Sequence, residues 1–168
     1  MKIGILSSGG DCPGINATIR GVGKTAIMHY GMEVIGIHSG FVGLLNKDVQ
    51  TFDERSLSGI LNLGGTILGT SREKPFRKLL ASGESEKPQL IRQNYEELGL
   101  DCLVCIGGNG TQKTAGMLSA MGLNVIGVPK TIDNDIWGTD ITSVSIRLSI
   151  SRLKRSIACI RPPVRTNG

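Results

Sequence analysis

The sequence predicts an α/β fold built on a doubly wound, mostly parallel sheet. Short apolar runs of strand length alternate with stretches of helical apolar spacing, and three of the four runs lead into a glycine-containing turn. Composition agrees: 24 glycines beside 4% aromatic residues suit a glycine-punctuated chain, and 39% hydrophobic content is too high for intrinsic disorder. With about 100–200 residues per domain as the prior, 168 residues make one domain or part of one.

The elements follow in order. Ile3-Gly4-Ile5-Leu6 reads as a buried strand running into Ser7-Ser8-Gly9-Gly10-Asp11-Cys12-Pro13-Gly14, after which Ile15, Ile19, Val22 and Ala26 recur at helical spacing. Val34-Ile35-Gly36-Ile37 is the second strand, with Ser39-Gly40 and Gly43 read as loop. The stretch from Asn62-Leu63-Gly64-Gly65-Thr66 to Thr70-Ser71-Arg72 is rich in Gly, Ser and Thr, which suits an irregular, ligand-facing loop. Residues 88–98 form a helix with proline in its first turn and Gly99 as terminator. Leu100-Asp101-Cys102-Leu103-Val104-Cys105-Ile106 contains the third strand, residues 110–121 the next helix, and Val125-Ile126-Gly127-Val128 the fourth strand. In such a sheet ligands bind outside the carboxyl ends of the strands, where these glycine turns fall.

Several function classes drop out. No apolar run approaches the roughly 18 residues of a membrane span, and Met1-Lys2-Ile3-Gly4-Ile5-Leu6 is too short and too quickly broken for a signal peptide, so a cytoplasmic protein is expected. The Cys102-x-x-Cys105 spacing suggests a redox pair or half a zinc site. On a strand, however, residues three apart face opposite ways, and no second pair or nearby histidine exists, so both read as buried apolar cysteines. His29 and His38 lie far apart and read as surface or packing residues. The formal charge of +5 would suggest a nucleic-acid partner, but six basic and no acidic residues follow Thr142, leaving −1 on residues 1–142.

The motifs point to phosphate chemistry. Gly9-Gly10-Asp11 offers backbone amides that an anion can approach; a tight turn without ligand is the plain alternative. Gly107-Gly108-Asn109-Gly110-Thr111 repeats the device at a helix N-terminus, and two such loops on one sheet edge favour a phosphate site. In an extended segment Thr131, Asp133 and Asp135 share one side, a trio able to deprotonate a hydroxyl, coordinate Mg²⁺ and position a phosphoryl group. The alternative is an Asx-rich turn capping itself. Beside two phosphate loops, catalysis is the better reading.

In order and spacing, Ser8-Gly9-Gly10-Asp11-Cys12-Pro13-Gly14-Ile15-Asn16, Gly64-Gly65-Thr66, Gly107-Gly108-Asn109-Gly110-Thr111 and Pro129-Lys130-Thr131-Ile132-Asp133-Asn134-Asp135 resemble the N-terminal half of the 6-phosphofructokinase family. The resemblance covers residues 1–142 and makes them the donor-binding and catalytic-base domain. It implies phosphoryl transfer from ATP to the C1 hydroxyl of fructose 6-phosphate, a glycolytic step, with Asp133 as base. It further implies that Thr131, Ile132 and Asp133 bind the sugar phosphate, and that Gly10, Arg72, Gly108, Asn109, Gly110 and Thr111 hold the donor phosphates. Asn109 and Asp135 would serve the Mg²⁺ site. Arg20 and Lys24 fall where bacterial ATP-using members place effector-binding basic residues. Family members are homo-oligomers, dimers or tetramers, whose sugar site draws arginines from the second half and a neighbouring subunit; on that basis the 168-residue chain alone should have negligible activity.

Two departures stand out. Asn109 replaces a usual aspartate that contributes to the metal site, shifting the burden to Asp135. The donor-selecting pair is mixed: Gly110 matches the ATP-using branch, whereas Lys130 is typical of the pyrophosphate-using branch. Gly with Lys more often accompanies ATP, which ranks ATP first and pyrophosphate second. A non-catalytic nucleotide-binding module is the competing class.

Residues 143–168 do not fit the resemblance. The family continues with Phe-Gly-Phe-Asp-Thr-Ala, where this chain has Ser143-Val144-Ser145-Ile146-Arg147-Leu148. Encoded as TCG GTT TCG ATA CGG CTG and read one base earlier behind a T, these residues become TTC GGT TTC GAT ACG GCT, which is Phe-Gly-Phe-Asp-Thr-Ala. The same shift lets Arg152-Leu153-Lys154-Arg155-Ser156-Ile157-Ala158 hide Thr-Glu-Ala-Ile-Asp-Arg. The alternatives are a basic helix with Ile146, Ile150, Leu153 and Ile157 in register, or a nucleic-acid arm, which would lack any aromatic to stack on bases. An out-of-frame tail should be poorly ordered. Resequencing the gene around codon 142 is expected to reveal the slipped base, and an uninterrupted frame reading Ser143 to Gly168 would sink the explanation.

Overall fold

The computed structural model describes residues 1–77, 86–136, 138–140 and 142. The elements run β1 (Lys2–Ser8), α1 (Ile15–Tyr30), β2 (Glu33–Ile37), α2 (Phe41–Asn46), β3 (Val49–Phe52), a 3-10 turn at Ile60–Asn62, α3 (Lys87–Glu97), β4 (Cys102–Gly107), α4 (Asn109–Ala120) and β5 (Val125–Pro129). They form one five-stranded sheet in the order β3-β2-β1-β4-β5. All pairings are parallel except β2 with β3, so the doubly wound, mostly parallel sheet read from the sequence is present. The tail assigned to a frame slip lies outside the described residues.

Alternation along each strand splits the core in two. Ile3, Ile5, Val34, Cys102, Val104 and Ile106 face α1. Leu6, Ile35, Ile37, Leu103 and Cys105 face α2, α3 and α4. Cys102 and Cys105 thus lie buried and unbonded on opposite faces, and burial pushes the Cys105 thiol up to about 12. Helix α1 starts after Gly14 in the left-handed region (φ 112°) and stops at Gly31 (φ 59°), whose N–H reaches the Ile27 carbonyl at 3.1 Å. No helix among the described residues is long and apolar enough to cross a membrane.

The α1 face is only partly covered. Ile126 pairs with Val104 on that side yet is 55% exposed. An apolar groove of about 390 Å³ runs over Ile3, Val22, Ala26, Cys102, Val104 and Ile126.

Two elements differ from the sequence expectation. The stretch containing Ser39, Gly40 and Gly43, read as loop, carries α2, whose Phe41 and Leu44 are buried. Asn94 of α3 fastens it by donating to the Leu44 and Leu45 carbonyls at 2.9 and 2.7 Å. Two residues separate α2 from Val49–Phe52, which form β3, an antiparallel edge strand too short to show a period, with Phe52 closing over Gly36. Gly43 is a packing residue, because a Cβ there would collide with the His38 carbonyl and neither backbone can retreat. Gly43→Ala is expected to cost about 1–3 kcal/mol in urea unfolding without changing the far-ultraviolet spectrum of the folded chain.

Candidate active site

The β1–β4 pairing sets Ser8 opposite Gly107, so the turns after both strands open side by side. Between them lies a cleft of about 210 Å³ lined by Ser8, Gly9, Gly10, Arg72, Glu73, Lys74, Gly108, Gly110, Thr111 and Lys130. Each wall has a local cause. Gly9 turns in the left-handed region (φ 94°), and its N–H donates to the Ser71 carbonyl at 2.9 Å, while the Ser8 hydroxyl reaches the same oxygen at 3.1 Å. Thr70 donates back to the Gly9 carbonyl at 2.7 Å. This zipper carries Arg72 to the rim. The rest of that loop is structural: Leu68 is buried, and Ser7 donates to the Gly69 carbonyl at 2.8 Å.

On the other wall Gly107 admits no side chain, since a Cβ would strike Thr111 and the Ser8 carbonyl. Helix α4 begins at Asn109, inside the Gly107–Thr111 stretch and directly after Gly108, so its first free amides and positive dipole end face the cleft. At Gly110 a Cβ would meet nothing within 4 Å, which leaves space beside the glycine loop.

Lys130 closes the floor. Its backbone N–H donates to the Gly107 carbonyl at 3.0 Å, and its ammonium donates to the Gly10 carbonyl across the cleft. The residue is only 6% exposed. Burial pushes the neighbouring Cys12 thiol up, against the opposing pull of the Lys130 ammonium.

The segment after Lys130 departs from the extended geometry expected of it. Asn134 adopts a left-handed conformation (φ 56°), so the chain bends between the aspartates. The Thr131 hydroxyl donates to Asp135 Oδ1 at 2.6 Å and accepts the Asp133 N–H at 3.3 Å. Asn134 pins the turn by donating to the Asp140 carbonyl at 2.8 Å and accepting the Thr142 N–H at 2.9 Å, and Thr142 donates to the Thr131 carbonyl at 2.9 Å. Self-capping and catalysis, set out above as alternatives, are thus compatible: the capped turn leaves both carboxylates at the surface.

Of the sequence candidates, Gly10, Arg72, Gly108, Gly110, Thr111 and Lys130 converge on the cleft. Asn109, Thr131, Ile132, Asp133 and Asp135 are not among its lining residues; Asn109 and Asp133 are exposed, and Ile132 is 51% exposed. Arg20 and Lys24 stand apart on α1, where Arg20 donates to the Leu57 carbonyl at 2.6 Å and Lys24 lies 3.8 Å from Glu54. Lys74 and Glu73 were not legible as cleft residues, because nothing in their spacing marks them. Among the described residues no three His, Cys, Asp or Glu side chains gather as a metal site. Asp135 and Asn109 each carry an oxygen donor of the kind Mg²⁺ takes, and both are exposed.

Residues 2–159 match the family model described as Phosphofructokinase. The chain belongs to the phosphofructokinase family. It is 72% identical over 142 residues to "ATP-dependent 6-phosphofructokinase 3" of Bacteroides thetaiotaomicron, covering 84% of this chain and 42% of that relative. It is 43% identical over 158 residues to "Pyrophosphate--fructose 6-phosphate 1-phosphotransferase" of Dictyoglomus thermophilum, covering 92% and 44%. The Pichia pastoris phosphofructokinase structure in the T-state superposes with a TM-score of 0.77 at 30% identity, covering 97% of this chain and 18% of that one. The chain spans about two fifths of the length of these curated phosphofructokinase-family relatives.

Replacing the Lys130 ammonium by an apolar chain removes the cleft's buried cation and the Gly10 carbonyl's donor. Lys130→Met is expected to weaken pyrophosphate binding to the 168-residue chain about 10–100-fold by calorimetry, the worth of one charge-assisted hydrogen bond.

Proposed function

We propose that the cleft holds the triphosphate end of ATP and that Asp133 is the base that activates a fructose 6-phosphate C1 hydroxyl, in glycolytic phosphoryl transfer in the cytoplasm. The observation that carries this reading is the convergence of two glycine loops, Arg72 and a buried Lys130 on one cleft, with an aspartate turn next along the chain. Amides of the Gly108–Thr111 turn take phosphate oxygens, and Arg72 and Lys130 balance their charge. Thr131 and Ile132, with Asp133, form the sugar-phosphate side, and the Thr131 hydroxyl orients Asp135. Asn109 and Asp135 would hold Mg²⁺, which when bound neutralises charge on the transferring phosphoryl group. Asp133 takes the hydroxyl proton as the sugar oxygen attacks the γ-phosphorus, whose bond to the β–γ bridging oxygen breaks to release ADP.

Donor choice turns on Gly110, where the missing side chain leaves room beyond the phosphates for the rest of a nucleotide. The name of the 72% identical relative supports ATP. A pyrophosphate donor is the second reading, favoured by Lys130 and by the name of the Dictyoglomus relative. Effector binding at Arg20 and Lys24 would first require both to leave their present partners.

A chimera joining residues 1–142 to the remainder of the Bacteroides relative tests the assignment. It is expected to convert fructose 6-phosphate to fructose 1,6-bisphosphate with ATP in a coupled assay, and the 168-residue chain to give negligible turnover. In the chimera Asp133→Ala should lower kcat by about 10²–10⁴ while nucleotide affinity persists. Unchanged turnover would refute the base, and binding without any transfer would favour the non-catalytic module.

A further inference from the structure

We propose that Gln112 is a positioning residue that locks the phosphate loop to the aspartate turn. Its place in the fold is unusual for a helical glutamine. One turn into α4, it directs its amide back at the sheet, and Nε2 donates to two strand-end carbonyls, Gly107 at 2.8 Å and Val128 at 3.0 Å. The first carbonyl immediately precedes the Gly108–Thr111 turn. The second lies two residues before Lys130. The Gly107 carbonyl also accepts the Lys130 N–H at 3.0 Å, so two donors, one from each side of the site, meet on one oxygen.

The rest of the pocket is shaped for this amide. A Cβ at Gly127 would collide with Gln112 Oε1, so the glycine in the middle of β5 leaves the space that the carboxamide fills. Gly127 faces the α4 side, paired with Cys105, which is the side from which Gln112 arrives. A glutamine that only decorated the surface would need neither an acceptor on each strand nor a missing side chain beneath it.

The chemical consequence rests on the phosphoryl-transfer reading of the cleft. In-line transfer needs the donor phosphate and the base held in fixed relation, and small displacements are costly. Phosphate contacts come from the α4 side, and Asp133 from the chain leaving β5. Gln112 spans the two, touching neither donor nor base.

Hydrogen exchange on the 168-residue chain reads the lock without any turnover. Gln112→Leu keeps the volume and removes the donor; Gly127→Ala keeps the glutamine and evicts its amide. Each is expected to speed exchange of the Lys130 N–H by about tenfold, the worth of one hydrogen bond, while β1 amides keep their protection. The double variant should exchange no faster than either single one, because both break the same contact. An unchanged Lys130 amide, a matching loss of protection across β1, or additive effects in the double variant would overturn the proposal. In the chimera Gln112→Leu should lower kcat with the ATP KM little changed, and equal loss through KM alone would count against positioning. A chimera that transfers nothing with Gln112 intact would instead sink the kinase reading, so the two failures separate.

Discussion

Everything at the site depends on the parallel register of β1 against β4. Setting Ser8 level with Gly107 makes two glycine turns neighbours, and neither turn alone encloses a cleft. The register is enforced chemically as well as by the ladder: Thr111 reaches the Ser8 carbonyl at 3.4 Å, and no side chain at position 107 could share that space. A slip by one residue would exchange the faces of every apolar side chain on β4, moving Val104 and Ile106 away from α1. The hydrophobic pattern therefore protects the geometry of the two glycine turns.

The four parallel strands were legible because each is a short apolar run, buried on both faces in β1, β2 and β4 and recognisable at the β5 edge although Ile126 is exposed. α3 and α4 were legible to within a residue at each end, and α1 from its apolar spacing at Ile15, Ile19, Val22 and Ala26. α2 and β3 were not, since six and four residues are too few to display a period, and what fixes them is tertiary: Asn94 beneath α2 and Phe52 on Gly36. At the site, the glycine loops announced themselves because glycines in consecutive positions leave backbone amides bare. Lys130 was visible as a residue, but its burial was not, because the Gly10 carbonyl it satisfies lies 120 positions away. Gln112 left no trace in the motif, since its role is defined by two carbonyls on other elements.

The bent aspartate turn shows how local and global demands were reconciled. Spacing of two suggested an extended strand with matched side chains; a left-handed Asn134 turns that strand into a clasp. The side-chain amide of Asn134 then replaces the ladder that an extended segment would have used, holding Asp140 and Thr142. Polar side chains here do the backbone's work, which frees the segment from the sheet and lets its carboxylates stand at the surface.

The buried ammonium of Lys130 gives the cleft two tiers of positive charge. Arg72 and Lys74 sit at the exposed rim, while Lys130 lies 6% exposed on the floor. Dissolved salt reaches the rim and damps its attraction over a Debye length of about 8 Å at physiological ionic strength, but it screens the floor far less. Ionic strength should therefore act mainly on how fast an anion is drawn in, with how firmly it is held once seated set by a charge that salt hardly sees.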